Sequence, residues 1–152
     1  MKPFSSIGRY EASAASDVIM NGVLSGYLAT EPTGGFEVRR LEADWARTFR
    51  TDHAVACNSA TSGLFAACLA AEIIPGDEVI VSPYTMSATA AAPKMLGAKL
   101  VWCDINPWTY TMDAGLVEKL ITKRTKAVIV TNLFGQAAHL RRLRNICDGK
   151  GL

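Results

Sequence analysis

The feature that most constrains the fold of this chain is its alternation of short apolar runs with segments of helical spacing. The apolar runs, each with the length and composition of a buried strand, lie at 53–57, 78–82, 98–102 and 126–131. Helical patterns fill the intervals between and after them at 61–72, 86–96, 113–121 and 137–148. Alternation of strand and helix predicts an α/β fold, in which right-handed βαβ units build a parallel sheet.

The chain before this alternation has a different pattern. Residues 1–35 predict one short helix and a loop punctuated by glycine and proline. From 36 to 49, apolar residues recur at helical spacing with charged residues between them, namely Val38, Leu41, Trp45 and Phe49. We expect this segment to form an amphipathic helix.

Composition and spacing exclude several classes of protein. The net charge of +2 is small, and the basic residues of the last third do not alternate with aromatic residues, so no nucleic-acid partner is expected. No apolar run approaches the ~20 residues that span a membrane, so no membrane association is expected. The four cysteines show neither metal-ligand nor disulfide-framework spacing, which favours a reducing, cytoplasmic compartment.

Two nucleotide-binding signatures and a hydrolase site are also missing. No G-x-G-x-x-G follows a predicted strand, and Gly149-Lys150 lacks the rest of a P-loop. Neither His53 nor His139 has a serine or cysteine nucleophile and an orienting acid near it in sequence. Ligands of open α/β sheets bind outside the carboxyl ends of the strands, so the turns that follow the strands are the candidate sites.

The turn Asn58–Leu64 follows a predicted strand and opens a helix with small and hydroxyl-bearing residues. Backbone N–H groups at such a helix N-terminus suit a phosphate, because the positive end of the helix dipole lies behind them. The hydroxyls of Ser59, Thr61 and Ser62 add further donors. The alternative is that Ser59 or Thr61 only caps the helix.

The turn Ser82–Thr89 brings an aromatic ring and a thioether, Tyr84 and Met86, to the same edge of the predicted sheet. Methionine makes favourable contacts with aromatic rings, so Met86 is a candidate to lie over a flat heterocycle. The alternative is that both side chains fill the core.

Together, these turns and their neighbours resemble the DegT/StrS-type sugar aminotransferases, a branch of the type I pyridoxal-phosphate (PLP) enzymes. Several segments keep the family's order and spacing over nearly the whole chain: Gly22–Gly26, Gly34–Gly35, Leu41–Glu42, Ala56–Leu64, Pro75–Ile80, Pro83–Thr85, Gly97–Ala98, Asp104–Ile105, Arg124–Ala127 and Asn132–Gly135. An ordered series of this kind is more specific than any one of its motifs.

The resemblance implies a fold. It is the three-layer, parallel-sheet large domain of the type I PLP-dependent transferase (aspartate aminotransferase-like) fold, incomplete in this chain. Residues 1–152 would be the N-terminal part of that domain, with 1–35 as helix and loop and 36–152 as the alternating part, and the C-terminal small domain would be absent. In this fold the first strand, here 53–57, stands apart from the next three, which pair with one another.

The resemblance also implies cofactor-binding residues. The amide of Ala60 and the amide and hydroxyl of Thr61 take the positions that bind the PLP phosphate. Met86 takes the position of the aromatic residue that usually lies against the pyridine ring. Two further departures from the family are Asn132, where a histidine often stands, and His139, where an acidic residue is common.

The activity that the resemblance implies is transfer of an amino group from Glu or Gln to a nucleotide-linked keto sugar or a ketocyclitol, by a cytoplasmic homodimer. The family's catalytic Asp and Lys lie beyond Leu152, so no catalytic residue and no metal ligand is assigned, and we expect the chain alone to be inactive. One alternative is a non-catalytic short subunit that pairs with a complete relative through helices at 12–24 and 36–50. Another is an unrelated nucleotide-binding α/β domain.

Overall fold

The computed structural model describes residues 6–22, 24 and 34–152. The chain divides into two compact units, Met1–Ala56 and Cys57–Leu152. Helices α1 (Arg9–Met20) and α2 (Phe36–Phe49) belong to the first unit. The amphipathic helix predicted at 36–49 is therefore confirmed.

Both helices of the first unit have local signals at their ends. The backbone N–H of Gly8 donates to the Glu11 carboxylate at 2.7 Å, at the start of α1. This hydrogen bond is the main reason why the pKa of Glu11 is lowered. Arg50 is the C-cap residue of helix α2; its φ of 55° is left-handed, and its N–H donates to the Ala46 carbonyl. These contacts satisfy backbone groups that a helix end otherwise leaves unpaired.

The strand predicted at 53–57 does not form, and that prediction is wrong. No part of this segment joins a strand ladder in the structure. The backbone N–H of Ala56 donates instead to Oε1 of Glu42, on helix α2, at 2.8 Å. A strand needs a neighbour for its backbone groups, and an apolar run alone does not supply one. As expected, this segment is not among the hydrogen-bonded strands of the sheet, which are described below.

The second unit holds the parallel sheet. Among the described residues, the sheet has strands β1 (Glu78–Val81), β2 (Lys99–Trp102) and β3 (Thr125–Ile129) in the order β2-β1-β3. Both pairings are parallel, so the three later predicted strands and their orientation are confirmed. The helices that connect or flank the strands are α3 (Ala60–Ala70), α4 (Ser87–Met95), α5 (Ala114–Leu120) and α6 (Leu140–Asp148).

The core has two layers because the central strand β1 is buried on both faces. Ile80 points to one face, where it packs with buried residues from the β2–α5 loop and helices α5 and α6: Cys103, Met112, Ala114, Val117 and Leu143. Val79 and Val81 point to the other face, where they pack with Cys68, Ile73, Ala92 and Ala98. Successive side chains of a strand alternate between faces, so one strand organises both layers of helices.

Helix α3 is oriented by its link to β1. Residues 71–77 join the end of α3 to the start of β1, and Leu64 and Phe65, from the first half of α3, pack in the same cluster as Val79 and Val81. The helix therefore runs antiparallel to the strand that follows it. Its N-terminus lies at the edge of the sheet where the strands have their carboxyl ends.

A buried carboxylate joins the amino ends of the three strands. The Glu78 side chain, 2% exposed, accepts a hydrogen bond from Thr122 Oγ1 at 2.6 Å and from Arg124 Nη2 at 2.8 Å, and Lys99 Nζ lies at 3.3 Å. The bond from Thr122, followed by that from Arg124, lowers the pKa of Glu78 to about 2. This cluster is at the edge opposite the carboxyl ends, so its role is structural.

The two glycines that follow helix α6 differ in conformation. The left-handed residue is Gly151, with φ of 72°, whereas Gly149 keeps a helical φ of −66°. The N–H of Leu152 then donates to the Cys147 carbonyl at 3.0 Å.

Within the described parts of the chain, no helix combines the length and hydropathy needed to cross a membrane.

Candidate functional site

The first candidate turn opens helix α3. Ser59 is the N-cap residue, with its Oγ accepting a hydrogen bond from the Ser62 N–H at 3.1 Å, and the Gly63 N–H donates to the Ser59 carbonyl at 3.0 Å. The interpretation of Ser59 as a helix cap is confirmed. Thr61 is not the cap, since it lies within the first turn of the helix.

Capping by Ser59 leaves other donors of this turn free. Among the described residues, the amides of Ala60 and Thr61 and the Thr61 hydroxyl have no hydrogen-bond partner, and both residues are exposed. These groups stand at the positive end of a helix of 11 residues. Two amides and one hydroxyl in this position form a fitting cradle for a phosphate monoester.

The second candidate turn follows β1 and opens helix α4. Met86 is the N-cap residue of α4 and its side chain is 77% exposed, while Tyr84 is 44% exposed. The alternative that both side chains fill the core is therefore wrong, because each lies at the rim of the sheet. The backbone of the turn is held in place, since the Thr89 N–H donates to the Met86 carbonyl at 3.0 Å.

A chain of hydroxyls joins this turn to the end of β3. Thr85 Oγ1 lies 2.9 Å from Thr89 Oγ1 and 3.1 Å from Thr131 Oγ1. Thr89 is buried, and Thr85 and Thr131 are partly buried. A threonine after each of two strands is the sequence signal for these contacts, and the predicted site did not include it.

Three aromatic rings lie together at the same edge, although the sequence patterns did not predict it. Tyr84 follows β1, Tyr110 follows β2 and Phe134 follows β3. Their ring centroids are 6.0, 6.2 and 6.2 Å apart. We call these three side chains the aromatic cluster. Each ring comes from the loop after a different strand, so only the folded sheet brings them together.

Two positions where the chain departs from the family that it resembles are Asn132 and His139. Asn132 Oδ1 accepts a hydrogen bond from the Ala138 N–H at 2.9 Å, which shapes the loop after β3. His139 precedes helix α6 as its N-cap residue and makes no side-chain capping bond. Neither side chain supports a catalytic assignment.

The buried thiols and the acidic groups that the structure describes were compared with the needs of a nucleophile or a metal site. Burial raises the pKa of the Cys103 thiol to about 11, which disfavours a nucleophilic thiolate, and the pKa of Cys68 is raised for the same reason. Among the residues that the structure describes, no three or more His, Cys, Asp or Glu side chains are grouped to hold a metal ion.

Comparison with known proteins settles the family. The model of the DegT/DnrJ/EryC1/StrS aminotransferase family matches residues 20–152. The chain belongs to this family. It is 39% identical over 118 residues to a Pseudomonas aeruginosa protein named UDP-2-acetamido-2-deoxy-3-oxo-D-glucuronate aminotransferase, an alignment that covers 78% of this chain and 33% of that protein.

Solved structures agree with the family. An aminotransferase from Psychrobacter cryohalolentis has a TM-score of 0.90 and 27% identity, with 99% of this chain and 37% of that one covered. NtdA from Bacillus subtilis, solved with bound cofactor PMP, has a TM-score of 0.83 and 26% identity, with 93% and 31% covered. The fold is that of type I PLP-dependent aminotransferases, and the predicted fold class is confirmed.

The matched region is a fraction of the relatives. The chain spans about a third of the length of the curated proteins that it matches, between 32% and 36%. What those whole proteins act on is therefore a matter for proposal in this chain.

Proposed function

We propose that this chain forms the cofactor-phosphate-binding part of a PLP-dependent sugar aminotransferase. Family membership and the PMP-bound structural neighbour support the cofactor. The single observation that carries the proposal is the set of free donors at the start of α3, the amides of Ala60 and Thr61 and the Thr61 hydroxyl. Their location at the carboxyl edge of a parallel sheet is where such folds bind ligands.

Each residue of the proposed site has a distinct task. The two amides and the hydroxyl donate to the phosphate oxygens, and the dipole of α3 favours the negative charge. The exposed Met86 thioether supplies an apolar, polarisable surface for one face of the pyridine ring. Thr85 fixes the backbone beside Met86 through its contacts with Thr89 and Thr131. The cofactor, when bound, supplies the conjugated ring that takes up negative charge during amino transfer.

The proposed reaction moves an amino group from Glu or Gln to a nucleotide-linked keto sugar or a ketocyclitol. The relative named for a UDP-linked keto sugar supports the nucleotide-linked acceptor. The proposed compartment is the cytoplasm, in agreement with the free thiols of Cys57, Cys68, Cys103 and Cys147. The proposed homodimer rests on the family resemblance alone.

No lysine of this chain is proposed as the catalytic base. Lys99 lies 3.3 Å from Glu78, and Lys126 lies 4.0 Å from Glu72, so both take part in ion pairs. We expect the chain alone to form no specific covalent link to PLP, and borohydride reduction followed by mass spectrometry tests this. A stable adduct at one particular lysine would contradict it.

The experiment that tests the proposal compares two ligands that differ only in the phosphate. Pyridoxamine phosphate and pyridoxamine are titrated into the 152-residue chain, and binding is followed by the fluorescence of the pyridine ring. We expect the phosphate-bearing ligand to bind and pyridoxamine to bind at least tenfold more weakly, because the donors of α3 contact only the phosphate. Equal affinity for both ligands would remove the basis of the proposal.

The second candidate, a short subunit that pairs with a complete relative, is favoured by one observation. Helix α2 exposes an apolar row in which Leu41, Trp45 and Phe49 are 55%, 54% and 58% exposed. Co-expression with a full-length family member and size-exclusion chromatography test it. A complex that Trp45→Lys abolishes would support this candidate, and two separate peaks would exclude it.

A further inference from the structure

The aromatic cluster is not used by the proposed phosphate site. We propose that Tyr84, Tyr110 and Phe134 form a stacking surface for the nucleobase of a nucleotide-linked acceptor. This inference rests on the proposed function, because it concerns the substrate of the same site.

The location of the cluster supports a ligand. Its rings come from the loops after β1, β2 and β3, and the three strands are adjacent in the sheet. At the usual strand spacing, three strands cover about 10 Å of the sheet edge. Tyr84 is two residues from Met86 and next to Thr85, whose hydroxyl contacts Thr131, so the cluster adjoins the proposed ring contact. An acceptor whose sugar lies beside the cofactor at Met86 can therefore extend along this edge to the cluster.

Two of the three ring residues have an unusual backbone conformation. Tyr110 has φ of 57° and Phe134 has φ of 53°, in the left-handed region that side chains with a Cβ disfavour. The conformation is fixed by tight turns, in which the Tyr110 N–H donates to the Asn106 carbonyl at 2.8 Å and the Gln136 N–H to the Leu133 carbonyl at 2.8 Å. Residues kept in such conformations concentrate at ligand sites.

Exposure shows that the cluster is not part of the core. Phe134 is 77% exposed, Tyr110 48% and Tyr84 44%. The rings touch one another at angles of 44°, 58° and 84°, so each leaves part of a face open to solvent. Open aromatic faces are the surfaces on which proteins stack nucleobases, whatever the base.

The choice of a nucleobase as occupant follows from the substrate class. The relative from Pseudomonas aeruginosa is named for a UDP-linked sugar, and the uracil ring of UDP is its one planar heterocycle. A base stacks through its π face, which is the surface that the cluster offers. The tyrosine hydroxyls at its border can donate to the carbonyl oxygens of a pyrimidine.

The test uses UDP as the probe and the full 152-residue chain. Binding is measured by calorimetry, and saturation-transfer NMR identifies the protons of UDP that contact the protein. We expect the largest transfer at the uracil protons. Phe134→Ala should raise the Kd for UDP about 5- to 150-fold, the range that corresponds to the loss of one base–aromatic stack. Phe134→Trp should retain binding.

The matched control is Trp108→Ala. Trp108 lies in the same loop as Tyr110 and is 88% exposed, and its ring makes no contact with the aromatic cluster. We expect its removal to leave the Kd for UDP unchanged. Circular dichroism melts of both alanine variants check folding, which should be retained because both side chains are largely exposed.

Several results would overturn the inference. One is that UDP fails to bind, or that its Kd is equal in the wild-type chain and in Phe134→Ala. Another is that ribose 5-phosphate, which has no base, binds as tightly as UDP. A third is that the cluster instead joins two copies of the chain, as a dimer that Phe134→Ala dissociates and UDP leaves intact would show. Titration of pyridoxamine phosphate into the same samples keeps the two proposals apart. If that ligand binds and UDP binding fails, the phosphate site stands and the aromatic cluster has no nucleobase.

Discussion

The Oγ1 atoms of Thr85 and Thr131 lie 3.1 Å apart and connect the loop after β1 to the end of β3. Thr85 also contacts the buried Thr89 hydroxyl at 2.9 Å, so its side chain is held from two sides. Because Thr85 immediately precedes Met86, this pair of contacts fixes the backbone of the residue proposed to lie against the cofactor ring.

The first prediction concerns this hydroxyl contact. Thr131→Val should lower the free energy of unfolding by about 0.5–1.5 kcal/mol, the net worth of one hydrogen bond, and should weaken binding of pyridoxamine phosphate by up to about tenfold. Thr131→Ser should restore both. Chemical denaturation and fluorescence titration measure the two effects.

Thr109→Val is the matched control for Thr131→Val. Thr109 Oγ1 lies 3.0 Å from Thr111 Oγ1 in the loop after β2, so the substitution removes a similar contact elsewhere. We expect it to affect stability alone. If both variants weaken cofactor binding equally, the Thr85–Thr131 contact has no particular role in the site.

The second prediction concerns the Thr61 hydroxyl. Thr61→Val should weaken binding of pyridoxamine phosphate by ~1.5–3 kcal/mol, or about 10- to 150-fold, because it removes one charge-assisted hydrogen bond to the phosphate. Thr61→Ser keeps the hydroxyl and should bind nearly as the wild type does. The melting temperature should change little, since the hydroxyl has no partner among the described residues. Unchanged affinity in Thr61→Val would show that the hydroxyl does not bind the phosphate.

Much of the fold was predictable from the sequence because it is set by local periodicity. The strands at 78–82, 98–102 and 126–131 are short and apolar, and the sheet buries its central strand on both faces. The segment 53–57 has the same composition but forms no strand. Pairing depends on a neighbour distant in sequence, which an apolar run does not encode.

The site was less predictable, because its contacts join residues far apart in sequence. The helix-opening turn of Ser59 and Thr61 is local, so both its cap and its proposed role in phosphate binding could be predicted. Thr85 and Thr131 are 46 residues apart, and the aromatic cluster draws on three loops. Apolar residues lie both in the core and at the rim of the sheet, so apolar character alone does not tell the two locations apart. Met86, for example, is 77% exposed.

The third prediction concerns pH and Glu78. The pKa of this carboxyl is lowered from its ordinary value of 4.5 to about 2 in the folded chain. The folded state therefore binds a proton at Glu78 less readily than the unfolded state does. The contribution of ionised Glu78 to the free energy of unfolding is fully present above pH 4.5 and is lost as the pH falls from 4.5 towards 2. Melting temperatures over this range should fall less steeply in Glu78→Gln than in the wild type.

Two neighbours of Glu78 give an internal comparison. Thr122→Val removes the contact that lowers the pKa most, whereas Lys99→Gln removes the longer contact of an exposed side chain. We expect Thr122→Val to flatten the acid dependence more than Lys99→Gln. The reverse order would show that long-range charge, rather than the Thr122 hydrogen bond, controls the carboxyl.

The last prediction concerns the outer edge of β3. In the sheet order β2-β1-β3, this strand has a neighbour on one side among the described residues. An apolar groove of about 700 Å³ lies between it and α6, lined in part by Val128, Val130, Leu140, Leu143 and Cys147. Unpaired edge groups beside an apolar surface are a template for pairing with another chain, so we expect the isolated chain to be marginally stable and to aggregate.

Substitution of Leu140 tests whether this groove drives the aggregation. Leu140 is 49% exposed, so Leu140→Lys places a charge beside the edge at little cost to the core, and it should slow aggregation measured by light scattering. Met95→Lys is the control, because Met95 is 71% exposed on helix α4 and does not line the groove. Hydrogen exchange adds a second measurement. The amides of β1, the central strand, should exchange more slowly than those of β3, because a central strand opens only when the whole sheet does. Equal aggregation of the two lysine variants would mean that the edge of β3 is not the surface on which the chain associates.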